Sequence, residues 1–149
     1  MDLESRSLLL ESAGLSVLDA AWSGAVPVPM KAWHLIVDGG VTPTATVRIL
    51  DDNGHLREVE SKWEMIAESA GLFDPRDEFL ISVAGAGAAN APWARVRRSS
   101  QLTLAYRLAS SPGEPEFVAM SLDGRIVCGV TTEEYDVWIV QGLLDQLPC

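Results

Sequence analysis

Two short apolar runs joined by one tight polar turn constrain this chain more than any other feature. Residues 117–121 (FVAMS) and 126–130 (IVCGV) flank Leu122-Asp123-Gly124-Arg125. Both runs are rich in strand-favouring residues, and an Asp-Gly pair supplies the positive-φ geometry that a tight turn needs. The segment predicts an antiparallel hairpin, and with it a fold built on hairpins rather than on regular βαβ units.

Several other segments read as strands. Residues 44–50 alternate, with Ala45, Val47 and Ile49 on one side and Thr44, Thr46 and Arg48 on the other. Asp51-Asp52-Asn53-Gly54 then reads as a hairpin turn, with residues 55–59 returning as a strand. Residues 30–37 and 79–83 are apolar strand candidates. Residues 101–108 alternate cleanly, placing Leu102, Leu104, Tyr106 and Leu108 on one side.

Helical signals are fewer. Residues 3–13 form a helix closed by Gly14, and 15–22 extends an N-terminal helical segment over 1–22. Ser61 and Glu64 make a capping box for a helix over 61–70, which carries Trp63, Ile66, Ala67 and Ala70 and stops at Gly71. The pentapeptide Glu-Ser-Ala-Gly-Leu occurs at 11–15 and again at 68–72. Its flanks differ, so a shared way of ending a helix explains it better than a duplication.

The segment after Thr131 carries opposed signals. Thr131-x-x-Glu134, with Val137, Val140, Leu144 and Leu147 at helical spacings, predicts a closing helix over 132–147. Tyr135, Val137, Trp138, Ile139 and Val140 favour a strand, and Gly142 weakens a helix. The helix is preferred. The sum is a single α+β domain over 1–149, in which 23–149 form a mostly antiparallel, curved sheet of five to seven strands, with about three helices in the whole chain.

Composition bounds the partners. The chain is 48% apolar, enough to bury a core without staples, and carries 21 acids against 11 bases for a formal charge of -10. Such a surface repels nucleic acid and anionic lipid and attracts basic proteins. Cys128 lies in an apolar strand pattern and Cys149 is the last residue, so no disulfide is indicated. An acidic N-terminus without a long apolar run argues for a cytoplasmic protein with no membrane span.

No motif specifies chemistry. A calcium loop on Asp51–Gly54 would place Ile49 at its first ligand position, which defeats it. Val83-Ala84-Gly85-Ala86-Gly87 opens like a dinucleotide loop, but Asn90, Pro92 and Trp93 follow instead of a helix. His34 and His55 lack zinc spacing, so no metal and no cofactor is expected; His34 reads as a strand residue and His55 as solvated. Cys128 reads as a core thiol.

Two functions stand against each other. The preferred one is an acidic protein-binding module of inhibitor or immunity type that docks a more basic protein. Its contact candidates are Glu114, Glu116, Glu133, Glu134 and Asp136. The alternative is a small pocket enzyme or ligand-binding protein with an apolar, Trp-lined cavity, and with Asp38, Glu64 or Tyr106 as acid–base groups. Trp22, Trp33 and Trp93 flank loops and suit a pocket mouth or a contact surface, whereas Trp63 and Trp138 suit the core. Arg95, Arg97 and Arg107 are anion-patch candidates; Arg95 and Arg97 would share one strand face, with Arg98 opposed. A homo-oligomer formed through a strand edge is a third arrangement.

Overall fold

The structure, a computed structural model, describes residues 2–38, 41–85 and 90–144. Its elements run α1 (Leu3–Ser12), β1 (Leu15–Trp22), α2 (Pro29–Val37), β2 (Ala45–Arg48), α3 (His55–Ala70), β3 (Glu78–Val83) and β4 (Trp93–Arg98). They continue with α4 (Leu104–Arg107), β5 (Ala109–Ser111), β6 (Glu114–Pro115), β7 (Phe117–Met120), β8 (Ile126–Thr132) and β9 (Asp136–Leu143). Seven strands form one antiparallel sheet in the order β1-β4-β3-β7-β8-β9-β2, and β5 and β6 form a separate small hairpin. The class is α+β.

The Asp-Gly hairpin forms as its sequence dictates. Gly124 takes φ 76°, Phe117 pairs with Val130 and Met120 with Val127. The two repeated pentapeptides also do what their composition implies. Gly14 (φ 93°) and Gly71 (φ 83°) end α1 and α3 in the left-handed conformation. After Gly71, the Leu72 N–H turns back to Ala67 O at 3.0 Å.

Elsewhere tertiary packing overrides local preference. Residues 15–22 are not helical: β1 is an edge strand that starts one residue after the α1 cap. Residues 30–37 are not a strand. Pro29 occupies the first turn of α2, and Pro29, Ala32 and Ile36 are buried at helical spacing. Residues 55–59 do not return as a strand, because in the turn Asn53 takes the positive φ (61°) while Gly54 is right-handed and leads into α3. The type I′ turn that an Asn-Gly pair favours would need positive φ at both. The helix therefore starts at His55, and Ser61 and Glu64 lie inside it rather than at a cap. Residues 101–108 are not a strand but contain the single turn α4. Finally, the closing helix expected over 132–147 is absent from 132–144, and 145–147 lie outside the described residues. Residues 136–143 form β9 between β8 and β2, and Thr131 is a buried residue of β8 whose hydroxyl lacks a partner.

The sheet is covered on both faces. On one face α1, α3 and α4 enclose a large cluster that includes Leu10, Val59, Trp63, Phe79, Phe117, Cys128 and Ile139. On the other face α2 encloses a smaller one of Ala32, Ile36, Leu80, Trp93, Val118, Met120, Val127 and Val140. All six residues of β3 are buried as a consequence. Burial pushes the Cys128 thiol up to about 12, so the core-thiol reading holds. Trp63 is fully buried, whereas Trp138 is partly exposed against the α2-side cluster.

Both sheet edges are blunted. β2 is four residues long. β1 is interrupted twice in register, and Asp19 Oδ1 accepts the Ala21 N–H at 3.0 Å. The Ala20 carbonyl in that irregular stretch is taken by the buried Arg6 guanidinium, which also donates to Pro92 O at 2.6 Å. Such edges resist pairing with another chain, which weighs against oligomerisation by strand addition.

The two capping glycines give a comparison. A Cβ on Gly71 would meet only Ile126 Cδ1 at 3.7 Å, whereas one on Gly14 would run into the Gln101 carbonyl. Gly71→Ala should cost about 1 kcal/mol from the left-handed backbone alone. Gly14→Ala should cost roughly 1–2 kcal/mol more, because the backbone at 101 must move as well. Urea midpoints of the two variants against the parent test this; equal losses would contradict it.

Candidate functional site

Three turns meet at one end of the sheet. The β2–α3 turn is tied to the β8–β9 turn by the Ile49 N–H, which donates to Tyr135 O at 3.0 Å. The β5–β6 turn joins the β2–α3 turn through His55, whose ring lies 3.0 Å from Gly113 O. Thr132 Oγ1 closes the triangle by donating to Pro115 O at 2.8 Å. Each of these turns carries acidic residues or is followed by them. The first carries Asp51 and Asp52, the second is followed by Glu114 and Glu116, and the third holds Glu133 and Glu134 just before Asp136.

The five contact candidates, from two separate stretches of sequence, are thus brought together. Glu114, Glu133 and Glu134 are exposed, and Glu116 and Asp136 are half-buried. Burial pushes the Glu116 carboxyl above its ordinary range; a bond from Ser110 opposes this, and the charges of Glu133 and Glu114 add to it. Those neighbouring charges act on Glu116 from two different turns. Arg48 sits opposite Asp136 in the β2–β9 register.

Tyr135 stands in the third turn at 72% exposure, the most exposed large hydrophobic residue among those described, and Leu50 in the first turn is 47% exposed. Neither residue stands out in the sequence as a site. Tyr135 is hidden by the helix reading of its segment, which would have placed it in a first turn.

His55 is 1% exposed and not solvated as its position after a turn suggests. The Leu50 N–H donates to Nδ1 at 3.1 Å, so the neutral ring carries its proton on Nε2 and donates to Gly113 O. One imidazole holds two acidic turns in place. His34 is exposed on α2 and has no comparable role.

Glu60 supports the same corner from below. It lies on α3 and its Oε1 accepts the Ala105 N–H at 2.8 Å, capping α4, which runs directly into β5. Its second oxygen is buried without a partner. Burial raises the carboxyl to about 7; the backbone bond from Ala105 lowers it, and the Glu64 charge raises it further.

The aromatic candidates divide. Trp22 and Trp93 line an open recess of about 200 Å³ with Ser23, Gly24, Val26, Val28, Pro29 and Pro92. The Trp93 N–H donates to Pro27 O at 2.9 Å. Trp33 packs at the α2 cluster and donates to Ser82 Oγ at 2.9 Å, outside that lining. Among the described residues, no carboxylate or histidine stands in its walls. Of the acid–base candidates, Glu64 pairs with Arg98, Asp38 is exposed beyond α2, and Tyr106 is half-exposed on α4.

The anion patch does not assemble. Arg95 and Arg97 do share a face, yet both bind one carboxylate, Glu78, at 2.7 Å. That pairing holds Glu78 below its ordinary range, Arg97 being the larger influence. Arg107 lies on α4, in the layer on the other side of the sheet. Arg98 faces α3, where it meets Glu64 and Glu68, and in the α3–β3 connection it pairs with Asp77 and covers the Phe73 ring at 3.8 Å. Residues 86–89 of the glycine-rich loop lie outside the described residues. Among the described residues no group of three or more His, Cys, Asp or Glu side chains is placed to hold a metal, and no helix is long and apolar enough to cross a membrane. Comparison with protein-family models, with curated proteins and with solved structures yields no match.

The Glu60 carboxyl has a measurable signature. Its folded value of about 7 lies above the ordinary 4.5, so the folded chain holds the proton more tightly than the unfolded one. That contribution to stability is full below 4.5 and is lost as pH rises through 7. Relative to the parent, Glu60→Gln should therefore gain stability from pH 5 to pH 8, by on the order of 3 kcal/mol at the top of that range. Denaturant titrations of both proteins across that range check it; a constant difference would refute it.

Proposed function

We propose that the chain is an acidic protein-binding module that docks a more basic protein through the three-turn end of its sheet. The observation that carries this reading is the convergence of Asp51, Asp52, Glu114, Glu133 and Glu134 from separate turns beside an exposed tyrosine. Carboxylates gathered in this way steer a cationic partner into encounter, and a Tyr within them offers the rigid aromatic contact that dominates many interfaces. An inhibitor or immunity-type role fits best, since such proteins need a recognition surface and no chemistry of their own. The formal charge of -10 extends the attraction beyond the contact itself.

The Trp22–Trp93 recess favours a second reading, the binding of a small apolar ligand. Its volume of about 200 Å³ falls below the range of several hundred Å³ usual for ligand pockets. Among the described residues its walls also hold no acid or base, which gives an enzyme reading there no support. The docking reading is preferred.

The test begins with capture from a lysate at low and at high salt by the parent and by a Glu133→Lys/Glu134→Lys variant. A basic protein retained at low salt by the parent alone, once purified, should associate about tenfold more slowly with the charge-reversed variant. Tyr135→Ala should chiefly speed dissociation, weakening the complex by about 2 kcal/mol. If every protein that the parent retains is retained equally by the reversed variant, the docking reading fails.

A further inference from the structure

We infer that His55 is a proton-operated latch for the three-turn end, which holds its turns together only while the imidazole is neutral. The geometry allows one arrangement of protons. Leu50 can only donate through its backbone N–H, so Nδ1 must present its lone pair, and Gly113 can only accept through its carbonyl, so Nε2 must carry hydrogen. Both ring nitrogens are thereby spent on backbone groups from two different turns. A second proton on the ring leaves the Gly113 bond intact but sets an N–H against the Leu50 N–H. At 1% exposure no water can take the place of the lost acceptor without the turn opening.

The charged side chains nearest in the chain to the ring are Arg48 on β2, Asp51 and Asp52 in the first turn, and Arg57, Glu58 and Glu60 in the first two turns of α3, which carries Lys62, Glu64 and Glu68 further along. The β5–β6 turn adds Glu114 and Glu116, and the β8–β9 turn adds Glu133, Glu134 and Asp136. None is a hydrogen-bond partner of the ring, whose two bonds are to Leu50 and Gly113. The latch therefore releases at the Leu50 bond, and Asp51 and Asp52, the carboxylates next to it, move first. A consequence that rests on the docking reading is that acidification loosens the bound partner.

The latch is testable on the protein alone, apart from any partner. Hydrogen exchange at the Leu50 amide, corrected for the intrinsic effect of pH, is followed from pH 8 to pH 5.5 while the His55 ring is titrated through its own resonances. Measurement in the Glu60→Gln background removes the titration of that carboxyl. Protection at Leu50 should fall at least tenfold in step with the ring, and ring nitrogen shifts at pH 8 should show the proton on Nε2. His55→Gln should show weak Leu50 protection at every pH, with no step. Constant protection while the ring titrates, a ring that keeps one protonation state across the range, or a proton on Nδ1 at pH 8 would each overturn the latch. The parent protein alone decides the matter if the Gln variant does not fold. Failure here leaves the docking reading standing, because salt-dependent binding at neutral pH does not depend on the second proton.

Discussion

Trp63 is the side chain through which the helical layer is fixed to the sheet. Its indole lies 5.3 Å from the Phe117 ring, 5.9 Å from Phe73 and 6.2 Å from Phe79, with steep interplanar angles to the first two. Its N–H donates to Cys128 O at 3.2 Å. One residue of α3 thus touches β3, β7 and β8 together. Replacing a side chain of this size and burial by alanine costs about 3–5 kcal/mol, and the position of α3 depends on it. Because His55 opens the same helix, the arrangement of the acidic turns is set by aromatic packing two turns further along α3.

The segments legible in sequence are those whose signal is local. The Asp123-Gly124 turn, the glycine that ends each pentapeptide and the periodic face of Trp63 and Ala67 need no distant partner to act. Those that mislead are segments in which composition and environment disagree. In α2 the run Ala32–Val37 looks strand-like, and only Pro29 at the first helical position argues otherwise. The Thr131-x-x-Glu134 signature loses to the β-branched and aromatic run of 137–140, whose pairing with both β8 and β2 satisfies a central strand that no local cap can match. In 101–108 the alternation of leucines is real, but Glu60, a residue 45 positions away from Ala105, supplies the cap that makes a helical turn there.

The candidate site is half legible for the same reason. Acidic runs at 114–116 and 133–136 are visible as composition. Their meeting is not visible, because it is produced by three hydrogen bonds between turns distant in the chain. Nor can sequence show that His55 is enclosed or that one Glu60 oxygen is buried without a partner, since both depend on elements that arrive from elsewhere. The arginines at 95, 97 and 98 illustrate the converse. A basic cluster in sequence becomes a set of internal pairings once Glu78, Glu64 and Asp77 are in place.

The unequal covering of the two sheet faces has a dynamic consequence. The sheet insulates the α2-side cluster from the larger one, so α2 is held by a single shallow layer that the rest of the core does not share. Sub-global opening can then proceed by lifting α2 while Trp63 and its neighbours remain closed. In that partially open form the backs of β7, β8 and β9 meet solvent while the acidic turns, anchored through α3 on the opposite face, keep their shape. The sheet thus stands between α2 with its own cluster and the helix that anchors the candidate recognition surface.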